Sequence, residues 1–280
     1  MQLKDKDYSF QSVPQASRNS FMKMLVVMLG LTFYSASMWA GGSLGEGMTF
    51  KQTLGAILAG NIILGVFTGA LGYIAAKTGL STHLLAQYSF GVKGAYISSF
   101  MLSATQIGWF GVGLGMFAYP VHKLTGLPLV GIVIVTGILM TATAYFGMKA
   151  LTILSFIAVP AIAILGSFSA TKAIGDMGGM NELFAYTPDS SLSLAAALTI
   201  TIGSFISAGT LTPDFARYAK SGKHAVSTTV IAFFLGNSLM FLFGVIGVIA
   251  TGHNDISDVM LSQGLLLPAI LVLGLNIWTT

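Results

Sequence analysis

The 280 residues are 54% hydrophobic and only 8% charged, with a mean hydropathy of +0.82, whereas a soluble domain carries about a quarter charged residues, so a water-soluble enzyme or binding module is excluded. The formal charge of +4 does not point to nucleic acid, because the basic residues stand singly between apolar runs and form no stripe. The chain has no cysteine, which removes disulfides, thiol catalysis and thiolate metal sites.

The first 20 residues hold Lys4, Asp5, Lys6, Asp7, Gln11, Gln15 and Arg18 and lack the apolar centre of a signal peptide. They read as a polar N-terminus ahead of a first span that stays in the mature protein. A spanning helix needs roughly 20 mainly apolar residues, and apolar runs bounded by Gly, Pro or charge place spans at 22–44, 52–76, 95–121, 128–146, 150–171, 192–212, 225–251 and 264–280. Ser81 to Phe90 is too short to span and predicts an interfacial helix, and the longest connection, Lys172 to Ser191, separates two groups of helices. With the N-terminus inside, one side of the membrane holds ten Lys and Arg residues and the other only Lys51, Lys123 and Lys172. Cytoplasmic loops carry such an excess, so the count supports eight spans and a cytoplasmic N-terminus.

The spans repeat. Phe33-Tyr34-Ser35-Ala36-Ser37 in span 1 matches Phe205-Ile206-Ser207-Ala208-Gly209 in span 6 at an offset of 172 residues. Gly60-Asn61 in span 2 matches Gly236-Asn237 in span 7 at 176, and Gln106-Ile107-Gly108-Trp109 in span 3 matches Asn276-Ile277-Trp278 in span 8 at 170. Paired elements lie five spans apart, an odd number, so the second copy enters the membrane from the opposite side. The expected fold is all-α and polytopic, a single transmembrane domain over 1–280, with 1–20 as a cytoplasmic N-terminus, a first repeat over 21–171 and a second over 192–280. Inverted repeats of this kind with interrupted first helices place substrate and coupling ion at the midplane between the copies.

Tyr34 to Ser37 and Gly203 to Gly209 are rich in small and hydroxyl residues near mid-span, as close helix packing or a break lining a cavity would require; their equivalent places in the repeat favour breaks. Gln106 and Trp109, three residues apart, share a face and offer an amide and a stacking surface, or else interhelical bonding and core packing. Phe205 could close the other face of such a slot, or be core. Asn276, Thr279 and Thr280 also share a face. With carbonyls freed at the break in span 1, these neutral oxygens suit a sodium ion, unless the hydroxyls bond to the preceding turn. Apart from Lys23 at the very start of span 1, no Asp, Glu, Lys, Arg or His falls inside a predicted span; a neutral substrate with sodium coupling fits better than a proton relay. Gly41-Gly42-Ser43-Leu44-Gly45 matches G-x-S-x-G only formally, since that motif needs a strand-turn-helix setting. No other catalytic or nucleotide-binding motif is present, no catalytic residue is expected, and Asn61 and Asn237 read as structural.

The stretches Met28-Leu29-Gly30-Leu31-Thr32-Phe33-Tyr34-Ser35-Ala36-Ser37-Met38-Trp39, Gly203-Ser204-Phe205-Ile206-Ser207-Ala208-Gly209-Thr210-Leu211-Thr212 and Gly264-Leu265-Leu266-Leu267-Pro268-Ala269-Ile270 resemble the nucleobase cation symporter family, in particular its bacterial cytosine permeases. The resemblance covers nearly the whole chain and implies the leucine-transporter-type 5+5 fold with helices 1 and 6 broken. It implies sodium-coupled uptake of cytosine through the inner (plasma) membrane by alternating access, with no cofactor beyond the coupling ion. It places Trp109 and Phe205 around the base, Gln106, Ser207 and Asn276 on its polar edge, and the Ser204 to Ser207 backbone and Phe33 nearby. Sodium would lie among the carbonyls of Phe33 and Ala36 and the side chains of Asn276, Thr279 and Thr280. Family members have about twelve spans, so the resemblance also implies that the second repeat, ending here in span 8, lacks its last two helices. The alternatives are a transporter of the same architecture for another neutral solute, such as a purine, hydantoin or amino acid, or one coupled to protons. A membrane-embedded enzyme is the alternative from a different class.

Overall fold

The computed structural model describes residues 7–279; Thr280, one of the expected sodium ligands, lies outside them. Among the described residues the chain is helical with no strand, the sole extended pairing being a one-residue bridge between Asn19 and Ala219. In order the helices are α1 Phe21–Thr32, α2 Ser35–Gly47, α3 Phe50–Thr78, α4 Thr82–Thr125, α5 Leu129–Ala144, α6 Gly147–Asp176 and α7 Met180–Ala185. There follow α8 Leu194–Gly203, α9 Ile206–Thr210, α10 Thr212–Ala216, α11 Gly222–Ile231, α12 Ser238–Thr251, α13 Ile256–Ser262 and α14 Leu266–Trp278.

Helices lie in each of the eight predicted segments. α3, α4, α6 and the run from α11 into α12 are long and apolar enough to cross a bilayer, and α1 with α2, bent by 52° at their break, makes a fifth crossing. α5, α8 and α14, in the other three predicted segments, are apolar but shorter. α3 shows why the ends fall where they do. Thr49 and Gln52 form a reciprocal capping box at its start, and Gly79 ends it in the left-handed conformation at φ 74°, which a side chain would disfavour. The interfacial helix expected at Ser81 to Phe90 is fused to span 3, with Gly91 (φ 69°, ψ 174°) as the bend between them. Span 5 outruns its predicted end at 171 and reaches Asp176, where Lys172 pairs with Asp176 at 2.8 Å across one exposed turn.

The two repeats meet closely. α2 and α12 cross where neither carries bulk: a side chain on Gly41 would strike the Phe241 carbonyl, and one on Gly244 would strike the Met38 carbonyl. Beside this crossing the amides of Asn61 and Asn237, equivalent in the repeat, bond directly to one another, Asn237 Nδ2 donating to Asn61 Oδ1 at 2.7 Å. The chain continues at both ends, with Ser37 donating to Asn237 Oδ1 (2.7 Å) and Asn61 Nδ2 to Ser238 (2.9 Å), all of it buried. Asn237 closes a π-helical stretch, Ala232–Asn237, that widens span 7 where Gly236 meets Thr32 and Phe33. The apolar outer faces of α4, α5 and α6, with Phe100, Val130, Ile138 and Ile157 exposed, are suited to lipid.

At the end of the bundle bearing Arg18 and Arg217, residues 7–19 strap the helices together. Arg217 donates to the carbonyls of Asp7 and Tyr8, both at 2.9 Å, and Arg18 to those of Val13 and Ala76.

The Asn pair yields a direct test. Asn237→Leu strands the Ser37 hydroxyl and the Asn61 carbonyl oxygen and is expected to cost about 1–3 kcal/mol of stability. Asn61→Leu combined with Asn237→Leu is expected to cost less than the sum of the single changes. Denaturant titration of the four forms in micelles measures this, and strictly additive losses would show that the amides do not act as a pair.

Candidate functional site

Span 1 stops being helical at Phe33 (φ −84°, ψ 71°) and Tyr34 (φ −123°, ψ 133°), and α2 begins afresh at Ser35. A helix interrupted inside a bundle leaves carbonyls at one end and N–H groups at the other without intrahelical partners. Asn276 on α14, fully buried, serves both. Its Nδ2 donates to the Phe33 carbonyl at 3.0 Å, while its Oδ1 accepts from the Ser35 N–H at 2.8 Å and the Ser35 hydroxyl at 2.9 Å.

Span 6 breaks at the equivalent place, between α8 and α9, with Phe205 (φ −129°, ψ −5°) outside helical geometry. Here the backbone bonds across the break by itself, Phe205 N–H donating to the Ile202 carbonyl at 3.2 Å and Gly209 N–H to the Phe205 carbonyl at 2.7 Å. A cavity of about 370 Å³ lies beside it, walled by Tyr34 and Leu31 of span 1, Gln106, Trp109 and Gly113 of span 3, Met140 of span 4, Ser204, Phe205 and Phe215 around span 6, and Ile277 of span 8. The Trp109 ring is fixed from two sides: its N–H donates to the Ser207 hydroxyl at 3.2 Å, and the Tyr34 ring meets it edge-on at 6.0 Å. The Tyr34 hydroxyl donates to the Trp109 carbonyl at 3.2 Å. Phe205 is held edge-on against Phe233 of span 7 at 5.1 Å. Gln106 Nε2 is buried at the cavity wall with no hydrogen-bond partner. A mostly apolar cleft with two fixed aromatic rings and one free amide can take a flat ring with a polar edge.

Of the residues expected to bind substrate, Gln106, Trp109, Ser204 and Phe205 line this cavity, and Ser207 touches it through the Trp109 indole. Phe33 and Asn276 do not line it; they lie at the break in span 1. Of the residues expected to hold sodium, Phe33, Ala36, Asn276 and Thr279 are all buried. The Thr279 hydroxyl donates to the Leu275 and Asn276 carbonyls, the preceding-turn bond that the sequence left open, and its Cβ faces Gly30 together with Ser155 of span 5. Sequence reasoning missed Tyr34 as a wall residue, although it stands in the interrupted segment, and Met140, which lies in an unbroken apolar run with no signal. It also passed over Asp255, between the predicted spans 7 and 8, whose carboxylate is buried against Ser35, the first residue of α2. At the far end of span 6, burial pushes the Asp214 carboxyl above the usual carboxylate range, opposed by the Thr82 hydroxyl donating at 2.5 Å and by the Arg217 charge.

Residues 12–280 match a family described as "Permease for cytosine/purines, uracil, thiamine, allantoin". The chain belongs to this permease family. It is 56% identical over 276 residues to the cytosine permease of Escherichia coli K12, covering 99% of this chain and 66% of that protein. It is 25% identical over 272 residues to the purine-uracil permease of Arabidopsis thaliana, covering 88% of this chain and 44% of that one. The chain thus spans just under two thirds of the bacterial relative's length. Among solved structures it resembles Mhp1, a nucleobase-cation-symport-1 family transporter, in a closed conformation with bromovinylhydantoin bound, at a TM-score of 0.84 and 17% identity over 97% of this chain and 65% of that one. The inward-facing conformation of Mhp1 matches at a TM-score of 0.79 and 18% identity, covering 96% and 64%. These matches establish the leucine-transporter-type fold, and family membership together with the apolar helices makes this a multi-pass membrane protein.

Gln106 and Asn276 occupy equivalent places in the repeat but have opposite surroundings, and stability separates them. Gln106→Leu removes an unpartnered buried amide and is expected to leave the ligand-free protein as stable or about 1 kcal/mol more stable. Asn276→Leu, which breaks three bonds, is expected to cost about 2–3 kcal/mol. Melting curves of the purified variants compare them directly, and a large loss for Gln106→Leu would mean that its amide holds the fold together.

Proposed function

We propose that this chain carries the binding site of a transporter that takes up cytosine together with sodium by alternating access. The observation that carries the reading is the cavity at the break in span 6, where two fixed aromatic rings and the free Gln106 amide face the same space. Trp109 and Phe205 would stack on the base, and Gln106, Ser204 and Ser207 would meet its polar edge. Asn276 would act from the break in span 1, with the Phe33 backbone beside it. The identity of the substrate draws on the cytosine permease relative at 56% identity. The repeat itself supports alternating access, since two copies of opposite orientation can rock about a site between them.

Sodium would be cargo, not a resident cofactor. It would sit where Gly30, Ser155 and Thr279 converge beside the Phe33 carbonyl, with Ala36, Asn276 and Thr280 supplying further oxygens. All of these donors are neutral, as suits a weakly held hard cation. Because Asn276 already ties α14 to both halves of span 1, ion binding there would set the angle between α1 and α2, and thereby the position of Tyr34 against Trp109. The second reading keeps the architecture and changes the substrate to another neutral ring, as the breadth of the family description allows.

Uptake of radiolabelled cytosine into vesicles carrying the protein, with and without a sodium gradient, tests the proposal. Trp109→Ala is expected to weaken apparent affinity by roughly 5- to 150-fold, the equivalent of about 1–3 kcal/mol per stacked base. Asn276→Ala is expected to abolish the response to sodium. Uptake indifferent to sodium would remove the coupling, and transport of a purine or hydantoin in place of cytosine would establish the second reading.

We also propose an N-terminus on the cytoplasmic side of the inner membrane, from the uneven sharing of Lys and Arg. With no native cysteine, single Lys172→Cys and Lys220→Cys variants report this cleanly. A membrane-impermeant maleimide applied to intact cells should label the first and spare the second, and the reverse pattern would invert the topology.

A further inference from the structure

A second cavity, of about 340 Å³, lies toward the Lys123 end of the bundle, and three of the segments that wall the central one, span 1, α4 and α14, also wall it. On α4, Gly113 faces the central cavity and Gly115 the second; on α14, Ile277 and Leu273, one turn apart, divide in the same way; on span 1, Tyr34 and Trp39 do so. The two spaces therefore lie at successive levels along these three segments.

The walls of the second cavity differ in chemistry. Trp39 and Tyr119 present rings that are 43% and 64% exposed, so neither is spent on the core. Opposite them the segment after span 7 contributes Asp255, Ser257 and Asp258, and α4 contributes Lys123. Asp255 accepts from the Ser257 N–H at 2.8 Å, which accounts for one carboxylate oxygen as the cap of α13. The carboxylate also lies against Ser35, so Asp255 is consumed within the fold, whereas its neighbours are not. The Ser257 hydroxyl is buried with no hydrogen-bond partner, in a residue only 1% exposed, and a buried hydroxyl left unpaired is costly unless something else satisfies it. The half-buried Asp258 faces the charges of Lys123 and His253. A metal is a poor candidate, because among the described residues no group of three or more acidic or imidazole side chains could hold one. A flat ring bearing N–H donors suits both halves of the wall, stacking on an indole while its donors reach a carboxylate, the pairing by which Asp and Glu accept from the cytosine amino group elsewhere.

We propose that this cavity is a second, weaker binding site for the same amino-bearing heterocycle that the central cavity takes, occupied on the way to it. Trp39 supplies the stacking face, Asp258 accepts from the ring, and the Ser257 hydroxyl gains its missing partner. The inference rests on the central-site reading for the identity of the ligand and on its own residues for the location.

The three tryptophans, Trp39, Trp109 and Trp278, make the two sites separately observable. Trp109→Phe with Trp278→Phe leaves Trp39 as the only reporter, and Trp39→Phe with Trp278→Phe leaves Trp109. Cytosine is titrated into each purified form in sodium-containing nanodiscs while tryptophan emission is followed. The Trp109 form should saturate first and the Trp39 form at a concentration at least about tenfold higher, a gap of about 1.4 kcal/mol. Asp258→Asn should weaken the Trp39 response by about tenfold or more without moving the Trp109 curve. Ser257→Ala, which removes only the unpartnered hydroxyl, should do the same to a smaller degree and guards against a folding defect in the first variant. A Trp39 signal that is absent, that follows the Trp109 curve, or that ignores both substitutions overturns the second site. A saturating Trp39 with a silent Trp109 keeps the second site and overturns the central one, and silence in both overturns the two readings together.

Discussion

Backbone N–H and C=O groups left unpaired where water does not reach cost several kcal/mol each, so a helix can be interrupted inside a membrane only where something else completes its hydrogen bonds. The architecture turns on that constraint at two places. In span 1 the gap between Phe33 and Ser35 is bridged by the single side chain of Asn276, which reads the end of one half-helix and the start of the next. In span 6 the chain closes the corresponding gap with its own backbone, Phe205 N–H donating to the Ile202 carbonyl at 3.2 Å and Gly209 N–H to the Phe205 carbonyl at 2.7 Å, and the space beside it is the central cavity.

The repeat is thus symmetric in fold and asymmetric in chemistry. Asn61 and Asn237 show the symmetry at its strictest, as equivalent residues that bond to each other where the copies meet. Gln106 and Asn276 show it broken. The shorter amide is consumed by three bonds to backbone and hydroxyl, while the longer one keeps its nitrogen free at the edge of the cavity. One copy contributes a rigid closure and the other an opening, and a site between two copies needs both.

Aromatic side chains set the depth of that opening. Trp109 is tied to span 1 through Tyr34 and to span 6 through Ser207, so the two broken helices cannot shift independently of the ring that walls the cavity. Toward one end, the small residues Gly113 and Gly115 let α4 face both cavities in turn. Toward the other, the backbone carbonyls of residues 7, 8, 13 and 76 are gathered by Arg18 and Arg217, which closes the bundle with charge-assisted bonds where the helices end.

The apolar helical segments, the inverted repeat and the location of both breaks were legible in the sequence, because a membrane imposes long apolar runs, and because Ser, Gly and Tyr at equivalent mid-span positions contradict what an uninterrupted helix prefers. Gln106, Trp109 and Phe205 were legible for the same reason: polar and aromatic groups at that depth are exceptional. The partners of those groups were not, since hydrogen bonds such as Asn276 to Phe33 and Ser35 join residues more than 240 positions apart. Nor did hydropathy reveal that the polar segment after span 7 folds back to bury Asp255 against the start of α2. Periodicity along the chain reports what each segment requires of its surroundings; which segment meets that requirement is decided only when the helices pack.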